Sequence, residues 1–101
     1  MEVINVKTGS CTHYCGRKTS YKGNGVDYSI LGNPFSEWQY GREGCIEMFR
    51  KYLNKEMRAN SEVWQAVADL PEDAKLGCFC YPQKCHCDVI VRAWQWNATR
   101  A

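Results

Sequence analysis

The segment LGCFCYPQKCHCD, residues 76–88, constrains the fold of this chain more than any other. Residues 75–80, KLGCFC, are mostly apolar, which is typical of a buried strand. Pro82 marks a turn, because proline cannot continue a central strand. The residues that follow place Val89, Ile90 and Ala93 at helical spacing. The segment therefore predicts a strand, a turn and a helix whose apolar side faces inward.

The residues before this segment show strand-like alternation in two places and helical spacing in two others. Residues 2–7 alternate between apolar and polar side chains, as a short strand does, and a second short strand is predicted for residues 12–17. Apolar residues recur at helical spacing in residues 36–58 and 61–70, and Pro71 ends the second of these helices. The predicted order is therefore strand, strand, helix, helix, strand, helix.

This order favours an α/β fold in which a short, mostly parallel sheet is packed by about three helices. A chain of 101 residues has room for one core, so we expect a single domain over residues 1–101. Hydrophobic residues make up 45% of the chain, which is enough apolar surface to exclude a disordered protein.

Composition and charge also restrict the partners and the compartment. A formal net charge of +2 does not by itself indicate nucleic-acid binding, although it does not exclude it. No apolar run approaches the length of a membrane span, and the first ten residues lack the layout of a signal peptide. We therefore expect a cytoplasmic protein with no membrane partner. In a reducing compartment, its seven cysteines are more typical of metal ligands, redox groups or core residues than of disulfides.

Four of those cysteines form a candidate metal site. Cys78, Cys80, Cys85 and Cys87 supply thiolates for one tetrahedral zinc ion, with His86 as an alternative fourth ligand. An iron–sulfur cluster also uses four thiolates, and the spacing does not separate it from zinc. The cluster therefore predicts a zinc or iron–sulfur cofactor, with no cofactor as the third possibility if these cysteines only fill the core.

A second interpretation places an anionic ligand at the same strand end. A helix that starts near Cys85 would direct its first backbone amides at the carboxyl end of the strand, where α/β sheets bind ligands. Arg17 and Asn33 are the candidate ligand-binding residues, because they suit a phosphate or another polar group. This interpretation predicts a nucleotide-like ligand.

The remaining cysteines and the aromatic residues carry less information. Cys45 lies on the apolar stripe of the first predicted helix and is expected in the core. Cys11 and Cys15 are candidates to complete a metal site, although their spacing is weak evidence for it. Tyr14, Tyr21, Tyr28 and Trp38 lie near basic residues and could form a stacking surface for bases or nucleotides. The four tryptophans would suit an aromatic surface that binds a partner protein. No nucleophile elbow, phosphate loop or Ser-His-Asp order is present, so neither a reaction nor a catalytic residue is assigned.

Four stretches, YCGR, LGNPF, REGCIEMFRKYL and LGCFCYPQKCHCD, occur in this order along the chain. With them the sequence resembles domain-of-unknown-function family 4326, which comprises small bacterial and phage proteins. The resemblance covers nearly the whole chain and implies a compact α/β domain in a bacterial or phage setting. It brings no activity with it. The protein is therefore expected to be phage-encoded and to reside in the host cytoplasm, with a host protein as one possible partner for an inhibitor or adaptor.

The resemblance also implies which positions carry the family pattern. They are Gly16, Arg17, Gly32, Asn33, Pro34, Phe35, Cys78, Cys80, Pro82, Cys85, His86 and Asp88. Two positions depart from that pattern, since Cys15 stands where an aliphatic residue is usual and Cys87 where glycine is usual. A site common to the family would therefore combine the listed cysteines with His86. A metal particular to this chain would recruit Cys87, Cys11 or Cys15.

Overall fold

The computed structural model describes residues 1–17, 25–79 and 83–99. Cys80 and Pro82, the expected ligand and turn residue, lie outside the described residues. The described elements are β1 (Glu2–Asn5), β2 (His13–Tyr14), β3 (Val26–Asp27), a 3-10 turn (Ser29–Leu31), α1 (Glu37–Ala59), α2 (Glu62–Ala68), β4 (Lys75–Cys78) and α3 (His86–Thr99).

The four strands form one parallel sheet in the order β1-β4-β2-β3. The last strand in the sequence is therefore a central strand, with β1 on one side and β2 on the other. The predicted α/β fold, with a short parallel sheet and about three helices, is confirmed. The sequence did not predict β3, a strand of only two exposed residues.

Serine side chains start the first two helices. Ser36 accepts a hydrogen bond from the Gln39 amide, and Ser61 accepts one from the Trp64 amide. Each hydroxyl thereby satisfies one of the amides that a helix leaves without an internal partner. Asn60, with a φ of 49°, ends α1 in the left-handed conformation that asparagine tolerates. Both predicted helices are present, within a few residues of the expected bounds.

Gly41 interrupts α1 one turn after its start. Its φ of 72° and ψ of 168° lie in a region that is essentially restricted to glycine. The residues before it, Glu37–Tyr40, therefore form a separate first turn. Trp38 in this turn is 95% exposed, the most exposed large hydrophobic residue described.

The main core lies between one face of the sheet and the helices. Leu76 on β4, Phe49 on α1 and Ile90 on α3 are fully buried there. Gly77 points to the opposite face, because successive strand residues alternate between faces. A Cβ at position 77 would lie 2.5 Å from Cys11 Sγ and 2.7 Å from Val6 Cγ1. The side chains packed on this second face therefore leave no room for a side chain at position 77 of β4. Among the described helices, none has the length and apolar content needed to cross a bilayer.

Candidate metal centre

Three cysteine sulfurs meet where β4 ends and α3 begins. Cys78 is the last residue of β4, Cys85 immediately precedes α3, and Cys87 lies in the first turn of α3. Their sulfurs all lie within 4.8 Å of one another, and those of Cys78 and Cys85 are 3.4 Å apart. The three residues are 2%, 3% and 0% exposed, and each carries a free thiol. We call these three residues the thiol cluster.

Cys85 also caps the helix that follows it. Its sulfur accepts a hydrogen bond of 3.3 Å from the Cys87 amide, and Asp88 accepts one of 3.2 Å from the Cys85 amide through Oδ2. This reciprocal pattern resembles a capping box, with cysteine in place of the usual serine or threonine and with the second helical amide, not the third, as its donor. The sulfur therefore lies at the positive end of the helix dipole, which favours a thiolate.

Residues from α1 hold the segment that leads into the cluster. Arg42 Nη1 donates a hydrogen bond of 3.0 Å to the carbonyl oxygen of Lys84, directly before Cys85. The same guanidinium pairs with Glu37 at 3.4 Å through its other terminal nitrogen. The position of Cys85 is thus fixed from both sides, by Arg42 at the preceding carbonyl and by the first turn of α3.

The buried thiols of the cluster oppose one another's ionisation. The hydrogen bond with Cys78, followed by burial, raises the pKa of Cys85 to about 12, although its interaction with Cys87 works in the opposite direction. The thiols of Cys15, Cys78 and Cys85, together with burial, raise the pKa of Cys87 well above its ordinary value. These thiols therefore keep their protons at neutral pH unless a cation is present to offset the negative charge.

The spacing of the sulfurs suits one metal ion. Tetrahedral zinc with bonds of about 2.3 Å places two sulfur ligands about 3.8 Å apart. The sulfurs of Cys78 and Cys85, 3.4 Å apart, lie close to that separation. Sulfurs that bind different irons of a cluster stand farther apart than sulfurs that share one ion. The three cysteines could therefore hold a metal ion.

His86 lies beside the thiol cluster but is not part of it. Its Nε2 makes a hydrogen bond of 2.7 Å with the carbonyl oxygen of Cys15, and its ring packs edge-on against Phe49 at 5.0 Å. Burial lowers the pKa of His86, and the carbonyl groups of Cys15 and Leu31 oppose that effect. The imidazole thus joins α3 to the residues after β2. Its role as a metal ligand stays a prediction.

Arg17 and Asn33, the expected ligand-binding residues, are brought together by the structure. Arg17 donates from Nε to the Asn33 carbonyl at 3.1 Å and from Nη2 to the Phe35 carbonyl at 2.7 Å. The Asn33 amide donates to the Cys45 carbonyl at 3.2 Å and accepts from the Phe35 amide at 2.9 Å. These bonds hold the LGNPF loop against α1. Binding of an anionic ligand by these residues stays a prediction.

The other cysteines occupy three different places. Cys45 is buried on α1, as expected, and its thiol donates to the Arg42 carbonyl at 3.2 Å. Cys11 is buried against Gly77 on the second face of the sheet. Cys15 is fully buried with the thiol cluster in the main core. The sequence offers Cys15 only as an optional ligand. Its position at the end of a short strand is nevertheless a usable signal, because cysteines that end neighbouring parallel strands meet at one edge of the sheet.

A groove of about 1220 Å³ between β1, α1 and α3 reaches the edge of the cluster. Lys84, Cys85 and Asp88 line one end of it, and Arg50 and Arg92 lie farther along. The expected host-protein partner stays a prediction, for which Trp38 is the most exposed aromatic residue described.

Comparison with known proteins gives a family but no activity. The chain is 30% identical over 63 residues to an uncharacterized 12.4 kDa protein in the nrdA-td intergenic region of Enterobacteria phage T4. That alignment covers 62% of this chain and 57% of the phage protein, so it spans little more than half of that relative. No solved structure matches. The model for the domain of unknown function DUF4326 matches residues 4–96, and the chain therefore belongs to the DUF4326 family.

Proposed function

We propose that this protein binds one zinc ion through the thiolates of Cys78, Cys85 and Cys87. The observation that carries the proposal is the convergence of three buried sulfurs within 4.8 Å at the junction of β4 and α3. Cysteines that only fill a core need no such convergence, since their sulfurs gain little from mutual contact. Zinc is the ion of choice because it is thiophilic and adopts the tetrahedral spacing that these sulfurs approach.

The expected role of the ion is structural. A catalytic zinc keeps one position open for water or substrate, whereas a structural zinc is enclosed by protein ligands. The thiol cluster is at most 3% exposed, so an ion at its centre would be shielded from bulk water. Binding would fix the carboxyl end of β4 to the first turn of α3.

Metal analysis of the full chain, purified without oxygen and then reloaded with zinc, tests this proposal. We expect one zinc per chain, with loss of zinc from Cys85→Ser and Cys87→Ser. Cys45→Ser is the matched control, because serine at this buried position keeps a donor for the Arg42 carbonyl and lies outside the cluster. This control is expected to keep its zinc.

Two results would overturn the proposal. Reloaded protein without zinc, in which all thiols titrate freely, would exclude a metal centre. Visible charge-transfer absorption with stoichiometric iron in the anaerobic protein would assign an iron–sulfur cluster in place of zinc.

A further inference from the structure

We propose that Cys15 supplies a fourth thiolate, so that a single ion is enclosed by four cysteines from β4, α3 and the end of β2. This inference rests on the proposed binding of zinc by the thiol cluster. It identifies the protein group that closes the site and adds β2 to the elements that the ion joins.

Strand register places Cys15 next to the cluster. His13 pairs with Leu76 and Tyr14 with Gly77, and the Cys15 amide donates to the Gly77 carbonyl at 3.0 Å. This bond belongs to the Tyr14–Gly77 pair, and the same register extended by one residue places Cys15 opposite Cys78. Neighbouring strands are about 4.8 Å apart, and paired residues point to the same face of the sheet.

The environment of Cys15 agrees with that register. Its side chain is 0% exposed and belongs to the same buried core as the thiol cluster. Its carbonyl oxygen makes a hydrogen bond of 2.7 Å with His86 Nε2, which joins the end of β2 to the first turn of α3. Cys15 therefore approaches the cluster from the neighbouring strand, while the other three ligands come from one continuous segment.

Coordination by Cys15 requires its sulfur to turn toward the ion. Cys15 Sγ donates a weak hydrogen bond of 3.7 Å to the His13 carbonyl, and it does not lie within 4.8 Å of all three cluster sulfurs. Ionisation removes the proton of that bond. Rotation about the Cα–Cβ bond then turns the thiolate toward the ion.

The other described candidates for a fourth ligand are engaged elsewhere. His86 is held between the carbonyl groups of Cys15 and Leu31. Cys11 lies on the second face of the sheet, and Asp88 accepts the hydrogen bond that caps α3. Cys80 lies outside the described residues, so the test compares it with Cys15 as the alternative fourth ligand.

The test counts sulfur ligands by X-ray absorption at the zinc edge of the reloaded full chain. We expect four sulfurs at about 2.3 Å in the unmodified protein. In Cys15→Ser we expect three sulfurs and one lighter atom. Zinc affinity should fall by more than the roughly 10–100-fold that loss of an outer-shell partner costs. Cys11→Ser, a buried cysteine beside β4, and Cys80→Ser should both keep four sulfurs.

The outcomes distinguish failure of Cys15 as a ligand from failure of zinc binding by the thiol cluster. Three sulfurs and one lighter atom in the unmodified protein would overturn the role of Cys15 and leave zinc binding by the thiol cluster intact. Four sulfurs that drop to three in Cys80→Ser but not in Cys15→Ser would assign the position to Cys80. Absence of zinc from the unmodified protein would overturn the proposed function itself. The measurement on the unmodified chain decides the ligand count even if a variant fails to fold.

Discussion

At the scale of single residues, Cys85 both caps a helix and belongs to the candidate metal site. Its sulfur caps α3 by accepting the Cys87 amide, and it lies 3.4 Å from the sulfur of Cys78. An amide that donates to a sulfur favours the ionised form, because the hydrogen bond is stronger to a thiolate than to a thiol. The start of the helix thus helps to prepare one ligand for the ion.

His86 gives a prediction that distinguishes a structural histidine from a ligand. His86→Leu removes the partner of the buried Cys15 carbonyl, so the free energy of unfolding should fall by about 1–3 kcal/mol. Zinc should still bind with one ion per chain. Chemical denaturation and metal analysis of the same preparation measure the two quantities.

The opposite result would support the sequence-based expectation that His86 is a metal ligand. If His86→Leu kept the stability of the metal-free chain but lost zinc, His86 would be a ligand, as the family resemblance implies. His13→Leu is a suitable control, because His13 is only partly buried and its ring contacts the edge of Tyr28.

At the scale of the elements, the break in α1 sets the direction of its first turn. Gly41→Ala forces a side chain onto a backbone with a φ of 72°. No atom lies within 4 Å of the new Cβ, so the cost is conformational and not steric. We expect the free energy of unfolding to fall by about 1–3 kcal/mol, as measured by denaturant titration.

Gly44→Ala is the matched control for this substitution, since Gly44 lies in the regular part of α1. There alanine is favoured over glycine by about 1 kcal/mol, although the new Cβ would approach the Tyr40 Cβ at 3.3 Å. Equal losses of stability in the two variants would show that the backbone at Gly41 is not the cause.

The elements that the sequence predicted well are those with strong periodicity. The helices at 36–58 and 61–70 were recognisable because apolar residues recur at helical spacing behind a capping serine. β3 was missed because its two exposed residues bury no apolar side chain that could reveal a strand. The predicted strand at 12–17 is shorter in the structure, since only His13 and Tyr14 belong to it.

The candidate site was predictable only in part, for a geometric reason. Cys85 and Cys87 would diverge if both lay inside a helix, and the spacing alone does not show where the helix begins. Cys85 instead precedes the first helical residue, and the cap turns its sulfur back toward the amide of Cys87. The place of Cys15 depends on which strands are neighbours, and that order follows from packing of the whole chain.

At the scale of the whole molecule, bound zinc should stabilise the folded state through linkage. Raising free zinc to 100 times its dissociation constant should add about 2.7 kcal/mol to the free energy of unfolding. The gain should shrink as the pH falls, because the ion displaces protons from thiols such as Cys85, whose pKa is about 12 without metal. Thermal unfolding in zinc-buffered solutions at two pH values measures both effects.

A stability that is independent of free zinc at either pH would contradict this linkage. The Cys85→Ser variant provides the reference, because serine retains the ability to cap α3 and lacks the thiolate. Its unfolding is expected to respond to zinc far less than that of the unmodified chain.

The position of β4 has a consequence for how the chain is made. β4 lies between β1 and β2 in the sheet, yet it follows both of them in the sequence. During synthesis on the ribosome, β1 has no neighbouring strand to pair with until β4 has left the exit tunnel. The four-stranded sheet is therefore completed only when β4 becomes available, by insertion of this strand between β1 and β2.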